Sequence, residues 1–429
     1  MTANVAPPAQ SLAELYGPGR ATLARQVQRW QGLVDEHRRR FGESEVHLFS
    51  APGRTEIGGN HTDHNHGKVL AAAIDLDAIA AAAPTSEERI TVFSDGYPQP
   101  FVVTLDELAA IPAERGTTAA LIRGIASRFR QVGYAIGGFR ACVASDVPVG
   151  SGLSSSASIE MLIATVFNAL YNGGRAEPKQ IAVIGQYAEN VYFGKPCGLM
   201  DQIVCAMGGI VSIDFNDPDS PLVERIDFDF TAAGYSLLVV NTGGSHADLT
   251  EEYASIPREM KSVAAQFGRQ VCRQISEHEL LSRLTDLRTS VGDRAILRAL
   301  HFLHENHRVD LQAEALRKKD VQGFLRLVGE SGSSSFRWLQ NCFTPRAVTE
   351  QGIPLALALA EEFIRRCKGA CRVHGGGFAG TILVFLPRAR VEEFRSLMES
   401  VFGSGCVKTL RVRPQGSIEI PGRCGMALR

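Results

Sequence analysis

The sequence predicts an α+β fold built as two domains. At 429 residues the chain exceeds one average domain of about 100 to 200 residues. Apolar residues make up 45% of it and charged residues 21%, which is enough apolar surface for sizeable cores. Segments typical of strands and of helices both occur, but they do not alternate regularly. This order favours α+β architecture over a doubly wound parallel sheet.

The first third of the chain mixes one helix with several strands. Residues 22–40 carry apolar side chains at helical spacing among many basic ones, which predicts an amphipathic helix. Short β-rich runs predict strands at 46–50, 69–82 and 139–144. We therefore expect a sheet to form early in the chain, with the basic helix against it.

The middle of the chain is predicted to be helical and its end to return to strands. Residues 154–171 and 178–193 have apolar side chains at helical spacing, and the second segment starts with Pro178, which favours a helix start. Residues 249–367 are mainly helical in pattern. The remaining predicted strands are 209–214, 235–240, 381–386, 410–412 and 417–420.

Charge and hydropathy exclude several classes of partner. The chain has 45 Lys and Arg against 46 Asp and Glu, so it lacks a net field that would attract nucleic acid. The longest apolar run, residues 69–83, is interrupted by Asp75 and Asp77, so no membrane span is expected. The N-terminus has no secretory pattern, and the nine cysteines include no CxxC pair. We expect reduced thiols and a cytoplasmic protein.

The sequence PVGSGLSSSA at residues 148–157 is the sharpest local signal. It joins a predicted strand to a predicted helix, and a glycine-rich turn at a helix start presents free N–H groups that hold phosphate. Its serines add hydroxyl donors and a candidate magnesium ligand. It is neither a Walker loop, which needs GKS or GKT, nor a Rossmann turn, which needs a third glycine. The alternative is a flexible turn with serine caps.

A second glycine-rich segment, GGGFAG at residues 375–380, satisfies the pattern GxGxxG. It is followed by TILVFL, which predicts a strand, whereas a dinucleotide fingerprint requires a helix there. We therefore expect a tight loop whose backbone packs against the turn at 148–157, and no dinucleotide site.

The third segment, residues 51–67, crowds polar groups into a loop after a predicted strand. His61, Asp63, His64 and His66 are metal ligands by residue type, but alternating polar groups also suit hydrogen bonding to sugar hydroxyls, and a solvated loop is a further alternative. Three more histidines, at 301, 304 and 307, have helical spacing and are interpreted as a solvated helix face.

Together and in this order, these segments resemble the galactokinase branch of the GHMP small-molecule kinases. The corresponding motifs read GRTEIGGNHTDH, PVGSGLSSSA and GGGFAG. Glu189 followed by PCGLMDQ at residues 196–202 is similar to a fourth family element, and Tyr253 lies where the family has a tyrosine. The match extends from about Val46 to the C-terminal strands, and the combination of motifs is far more specific than any one of them.

The resemblance implies a fold, an activity and partners. It implies a ribosomal-protein-S5-like domain over residues 1–235 and a ferredoxin-like domain over residues 236–429, with the active site in the cleft between them. The implied activity is phosphorylation of a sugar by ATP at the C1 hydroxyl, with galactose as the first expectation. The implied cofactors are ATP and Mg²⁺, and the implied partners are the sugar and ATP, without nucleic acid or membrane, in a monomer or small homo-oligomer.

The resemblance also implies site residues. Asp201 and Arg54 would flank the reacting hydroxyl, and Ser156 and Glu189 would hold Mg²⁺. The residues expected at the ATP phosphates are Gly150, Ser151, Gly152, Leu153, Ser154, Ser155 and Ser156. The residues expected at the sugar are Asn60, His61, Asp63, Gly198 and Tyr253. Without the family, Asp201 would be interpreted as a helix-start cap and Arg54 as half of a surface ion pair.

The first motif departs from the family pattern at several positions. Asn60 stands where the family has Glu, His64 where it has Tyr, Glu56 where it has Asn, and Ala71 where it has Pro. Asn60 removes a negative charge from the expected C6 contact. Galacturonate, L-arabinose and N-acetylgalactosamine are therefore alternative substrates. A catalytically silent sensor of galactose and ATP, and a kinase for a non-sugar alcohol, are further alternatives.

Overall fold

The computed structural model describes residues 6–148, 150, 152–244 and 249–424. The α-helices of this part are Ala9–Tyr16 (α1), Arg20–Phe41 (α2), Thr118–Gln131 (α3), Ser155–Asn172 (α4), Pro178–Tyr187 (α5), Met200–Met207 (α6), Thr250–Ala265 (α7), Glu277–Ser282 (α8), Leu284–Ser290 (α9), Asp293–Arg317 (α10), Val321–Ser334 (α11), Gly352–Ile364 (α12) and Val391–Phe402 (α13). The strands are Val46–Gly58 (β1), Lys68–Thr85 (β2), Arg89–Ser94 (β3), Phe101–Thr104 (β4), Gly138–Ser145 (β5), Ile210–Asp214 (β6), Leu222–Ile226 (β7), Tyr235–Asn241 (β8), Ala370–His374 (β9), Thr381–Pro387 (β10), Val407–Leu410 (β11) and Ile418–Cys424 (β12).

The strands form a large sheet and a small sheet. The large sheet has the order β12-β1-β2-β5-β3-β4, and β6 extends it by pairing with the first part of β2 and with β7. Helices cover both of its faces, so β2 alternates between two cores. Ala78, Ala80 and Ala82 pack against α3 to α6, whereas Ile79 and Ala81 pack under α1 and α2. Small side chains on both sides bring these helices close to the sheet.

The small sheet is antiparallel, with the order β11-β8-β10-β9. Leu237 and Phe385 on one face pack with α11 and with the ends of β1 and β2, which joins the two sheets through one core. Leu238 and Val384 on the other face pack under α12 and α13. The loop from β9 to β10 therefore lies beside the end of β1.

The α+β prediction is confirmed, and most predicted elements agree with the structure to within a few residues. The strand predicted at 46–50 was too short, because β1 continues to Gly58 and the loop predicted at 51–67 begins only after it. The helix predicted at 178–193 was wrong in detail, because α5 ends at Tyr187 and a π-helical turn, Ala188–Phe193, continues it. The strand predicted at 410–412 lies earlier, at β11. The sequence pattern also missed α1, α3, α13, β3, β4, β7 and β9.

β8 starts at Tyr235, next to the predicted domain boundary, while β12 pairs with β1 and returns the chain to the large sheet. The division at residues 235 and 236 stays a prediction.

None of the helices in the described ranges combines the length and apolar character that a bilayer span requires.

Candidate active site

Four segments meet at a cavity of about 200 Å³ near the junction of the two sheets. They are the end of β1 with the loop after it, the start of α6 with the residues before it, the loop between β9 and β10, and, behind these, the start of α4. The cavity is lined by most of the residues predicted for the reacting hydroxyl and the sugar, namely Arg54, Asn60, His61, Asp63, Gly198 and Asp201. Residues more than a hundred positions apart in sequence thus share one site.

Arg54 and Asp201 form a two-pronged ion pair in this cavity. Arg54 Nε donates to Asp201 Oδ1 and Nη2 to Asp201 Oδ2, both at 2.8 Å. Arg54 Nη1 also donates to the Gly152 carbonyl, and Ser154 Oγ donates to Asp201 Oδ2. Burial alone would raise the pKa of Asp201, but Arg54 and Ser154 hold it below its ordinary value, so the carboxylate is ionised at neutral pH.

This geometry rejects the two interpretations made without the family. Asp201 lies in the first turn of α6, but its side chain bonds to Arg54 and Ser154 instead of capping that helix. The Arg54 side chain is 9% exposed and the Asp201 side chain 29% exposed. The pair is therefore internal, with the carboxylate open on the side of the cavity.

The predicted phosphate turn runs into α4 with its helix start uncapped. Ser154, the N-cap, adopts the left-handed conformation with φ of 60°, and its hydroxyl serves Asp201 instead of the helix. Among the described residues, no side chain caps the first-turn N–H groups of α4. Gly150 and Gly152 also have positive φ, which favours glycine. Ser151 lies outside the described residues.

The predicted packing of the third glycine segment against the phosphate turn is confirmed. A Cβ placed on Gly375 would lie 3.8 Å from Gly152 Cα, and one on Gly152 would lie 3.2 Å from His374 Nδ1. β10 follows the segment as predicted, so it does not open a helix. The two glycine-rich turns therefore approach each other closely.

Ser156, in the first turn of α4, lies next to Glu189 of the π-helical turn that follows α5. Ser156 Oγ donates to Glu189 Oε1 at 3.2 Å, and Gln202 Nε2 donates to Glu189 Oε2 at 2.9 Å. The same Gln202 nitrogen donates to Glu160 Oε2, also at 2.9 Å. Burial and the neighbouring Glu189 raise the pKa of Glu160 well above its ordinary value. Within the described ranges, no group of three or more His, Cys, Asp or Glu side chains is arranged to hold a metal ion.

The sugar side of the cavity contains His61, Asp63 and Gly198. His61 Nε2 lies 2.9 Å from the Gly376 carbonyl, and burial lowers the pKa of His61 to about 4, so the ring is neutral and donates there. A Cβ on Gly198 would lie 2.6 Å from Asp63 Oδ2, so any other residue there would displace this carboxylate. The Asp63 carboxylate therefore reaches the cavity directly beside the loop that leads to Asp201.

Two of the predicted sugar residues are placed differently from the others. Tyr253 does not line this cavity; its hydroxyl donates to the Gly377 carbonyl at 2.9 Å, behind the third glycine segment. Asn60 borders the cavity, but its side chain is fully buried among protein groups. Its amide faces the loop between β9 and β10 and the π-helical turn Ser335–Leu339, which follows α11.

Sequence reasoning missed several residues around the cavity, among them the buried Glu56 and Arg372. Arg372 Nη2 donates to Glu56 Oε1 at 2.8 Å. The solvated helix face predicted for the three histidines was wrong for His301. That side chain is fully buried, and its Nε2 lies 3.0 Å from the Asn60 carbonyl. The available signal for Arg372 was an arginine three positions before the glycine-rich segment at 375–380, but its partner is 316 positions away.

Comparison with known proteins gives consistent matches. The galactokinase galactose-binding signature matches residues 35–84, and the GHMP kinases N terminal domain matches residues 120–209. A galactokinase from Glaesserella parasuis is 32% identical over 363 residues, which cover 83% of this chain and 90% of that protein.

Solved structures agree with these matches in fold. Lactococcus lactis galactokinase complexed with galactose superposes with a TM-score of 0.77 at 23% identity, covering 91% of this chain and 99% of that one. Methanococcus jannaschii mevalonate kinase gives a TM-score of 0.61 at 16% identity, covering 85% and 98%. The predicted GHMP kinase fold is thereby confirmed. The chain belongs to the galactokinase family of the GHMP kinases and is a phosphotransferase that uses ATP.

Proposed function

We propose that this protein transfers the γ-phosphoryl group of ATP to the C1 hydroxyl of galactose. The observation that carries the proposal is the two-pronged Arg54–Asp201 pair, which lies between the phosphate turn and the loop with His61 and Asp63. The galactokinase relative and the galactose-bound galactokinase structure support galactose as the sugar. A cytoplasmic protein, as a monomer or small homo-oligomer, is part of the same proposal.

The ATP phosphates would bind at residues 150–156, against the uncapped start of α4. An α-helix start carries free N–H groups and about half a positive charge, which stabilises a phosphate. The serine hydroxyl normally used to cap such a helix is turned to Asp201 here, which leaves those N–H groups for the ligand. Ser151 and Leu153 are included among the proposed phosphate-binding residues because of their positions in the sequence motif at 148–157.

Mg²⁺ would be held by Ser156 and Glu189. A hydroxyl and a carboxylate are the oxygen ligands that this ion prefers, and because it keeps water and phosphate oxygens in its shell, two protein ligands suffice. Glu189 is 2% exposed and has its second oxygen fixed by Gln202, so its position is well defined. When bound, the ion neutralises charge on the transferring phosphoryl group.

Asp201 would orient the C1 hydroxyl and accept its proton. Phosphoryl transfer passes through a loose transition state, so the protein mainly aligns the nucleophile and stabilises charge. Arg54 fixes both oxygens of Asp201 while its third nitrogen reaches the Gly152 carbonyl, so one guanidinium ties the base to the phosphate turn. His61, Asp63 and Gly198 would position the ring, with Asn60 and Tyr253 supporting the loops behind it.

A panel of pure sugars with Mg-ATP, scored by ADP release and by the position of the new phosphate, tests the proposal. We expect galactose to give the highest kcat/KM and the product to carry phosphate at C1. Asp201→Ala should abolish turnover while nucleotide binding is retained. Turnover of galacturonate above galactose would contradict the proposed substrate, and binding of galactose and ATP without turnover would indicate a sensor.

A further inference from the structure

Glu56 and Asn60 exchange the positions at which the family has a carboxylate and an amide. Both residues lie at the cavity, and Asn60 Nδ2 donates to Glu56 Oε1 at 3.0 Å. Two departures that look independent in the sequence are therefore one reciprocal exchange in space. The carboxylate is retained at the site, but β1 carries it instead of the loop after β1.

The Asn60 amide has no hydrogen-bonding capacity left for a ligand. Nδ2 uses its two protons on Glu56 Oε1 and on the Gly375 carbonyl, the latter at 2.7 Å. Oδ1 accepts from Asn341 Nδ2 at 2.8 Å and from Ser335 Oγ at 3.2 Å. An amide offers two donors and about two acceptor positions, and all four are occupied. Asn60 is thus part of the wall that holds Glu56.

The protein binds one carboxylate oxygen of Glu56 and leaves the other without a partner among the described residues. Arg372 is fully buried, donates to Glu56 Oε1 at 2.8 Å and is fixed by the Ile57 carbonyl at 2.8 Å. Arg372 and Asn60 both bond to Oε1, and no group in the described part of the chain bonds to Oε2. Oε2 is also not among the buried unpaired atoms found in those ranges, so it reaches the cavity.

We propose that Glu56 is a specificity-determining residue, whose Oε2 accepts a hydrogen bond from a sugar hydroxyl other than the one phosphorylated. This proposal rests on the proposed function and names its substrate class, an uncharged sugar with a hydroxyl group facing Glu56. Asn60 is a positioning residue for that carboxylate. Glu56 and Arg54 are two apart on β1 and both line the cavity, so the two contacts would fall on one bound ring.

The charge around the cavity disfavours an anionic sugar. Asp63 and Glu56 both present carboxylates, and the two arginines next to the cavity are already paired, Arg54 with Asp201 and Arg372 with Glu56. A carboxylate on the substrate would meet like charge without a free cation among these residues. The expectation that Asn60 opens the site to galacturonate therefore loses its basis.

A double-change cycle tests the role of Glu56: the Glu56 side chain and single hydroxyl groups of the sugar are altered separately and together. The full-length protein and Glu56→Gln are assayed with galactose and with each monodeoxygalactose that keeps the C1 hydroxyl. We expect kcat/KM of the variant for galactose to fall by about 10- to 100-fold, which is typical of a hydrogen bond to a charged group. One deoxygalactose lacks the hydroxyl that contacts Glu56. On that sugar, kcat/KM of the variant should equal kcat/KM of the parent.

The outcomes separate specificity from structure. An equal loss on every sugar, or no loss on any, would overturn the role of Glu56. Nucleotide binding and thermal unfolding check that the variant is folded, and Glu277→Gln, an exposed residue outside the cavity, is the matched control. If Glu56→Gln does not fold, the same cycle on Glu56→Asp, which keeps the charge but shortens the side chain, decides the question.

The exchange itself can be reversed. In Glu56→Asn with Asn60→Glu, a carboxylate and an amide are again neighbours in the opposite order, so we expect kcat/KM for galactose to exceed that of both single variants. A double variant no better than either single variant would contradict the reciprocal exchange. Failure of the parent to phosphorylate any uncharged sugar would instead contradict the proposed function, so the two failures are distinguishable.

Discussion

Two clusters in this molecule are built from the same chemical groups and differ in access to solvent. The Asp201 cluster consists of Asp201, Arg54 and Ser154; the Asp77 cluster consists of Asp77, Arg29, Arg413, Tyr16 and Ser50. Each has a carboxylate that accepts from an arginine and from a serine hydroxyl. Asp77 and Arg413 are fully buried, whereas the Asp201 side chain is 29% exposed. Solvent access, more than residue type, separates a reactive carboxylate from a structural one.

The Asp77 cluster joins distant parts of the chain. Tyr16 from α1 donates to Asp77 Oδ2 at 2.7 Å, Arg29 from α2 to Oδ1 at 2.6 Å, and Arg413, which follows β11, to Oδ2 at 3.1 Å. The Asp77 side chain is fully buried under these partners, so no substrate can approach it. The Asp201 cluster instead leaves one side of its carboxylate to the cavity, which is what proton transfer requires.

Asp201→Asn should have the largest effect and should act on activity. The amide keeps the shape of the side chain but cannot accept a proton, so we expect kcat to fall by about 10²- to 10⁴-fold. Nucleotide affinity should be retained, and the free energy of unfolding should fall by less than on loss of a fully buried ion pair, because the Asp201 side chain is 29% exposed and water can reach the pair. Steady-state kinetics and urea unfolding of the same preparation measure both quantities. A variant that retains more than a tenth of the parent kcat would contradict the role of Asp201 as base.

Asp77→Asn should give the opposite pattern. It leaves Arg413 buried without this charge partner and leaves Arg29 with Asp146 at 3.5 Å, and breaking a buried ion pair costs about 3 to 5 kcal/mol of stability. We expect this loss in urea unfolding, with kcat of the folded protein close to that of the parent. Loss of activity in a fully folded Asp77→Asn protein would mean that the two clusters are coupled.

The pH dependence of unfolding should locate the Asp77 contribution. Burial alone would raise the pKa of Asp77, but Arg29 and Arg413 hold it below its ordinary value. A lowered folded pKa stabilises the protein above the unfolded value of about 3.9 and loses that stabilisation as pH falls through the lower folded value. The stability difference between the parent and Asp77→Asn should therefore be constant from pH 7 to about 5 and shrink below about 4.

Asp75 titrates at a higher pH than Asp77, because burial raises its pKa to about 6. It is present in both proteins, so comparing them by difference removes most of its contribution. A stability difference that keeps growing as the pH falls below 4 would contradict the assignment of the cluster to an ionised Asp77.

The sequence predicts the contacts that depend on local chemistry and misses those made across the fold. The two glycine-rich turns were predicted to pack together because runs of small residues permit close backbone approach, and Gly152 and Gly375 do meet. Asp77 carried no signal, since an aspartate in an alanine-rich strand looks like an interruption until Arg413, 336 positions away, is placed beside it.

Asn60 and His301 illustrate the same limit. Motif position suggested that Asn60 faces a sugar, but the partners that occupy its amide come from Glu56, Gly375, Asn341 and Ser335, three of which are more than 270 positions away. The spacing of three histidines suggested a solvated face, yet α10 turns His301 into the core to bond the Asn60 carbonyl. Period alone does not say which face of a helix is covered.

The smallest effects should come from the matched serines, which make the comparison between the clusters most direct. Ser50 donates to Asp77 and accepts from Arg413 at 2.6 Å, and Ser154 donates to Asp201. Each hydroxyl bonded to a charged group is worth about 1.5 to 3 kcal/mol when buried and less where water can replace it. Ser50→Ala should therefore lose stability in that range with unchanged kcat/KM. Ser154→Ala should keep its stability and lose about fivefold in kcat/KM, since water entering from the cavity partly replaces the hydroxyl. Equal losses of stability in both variants would show that the Asp201 cluster, like the Asp77 cluster, serves mainly to hold the fold.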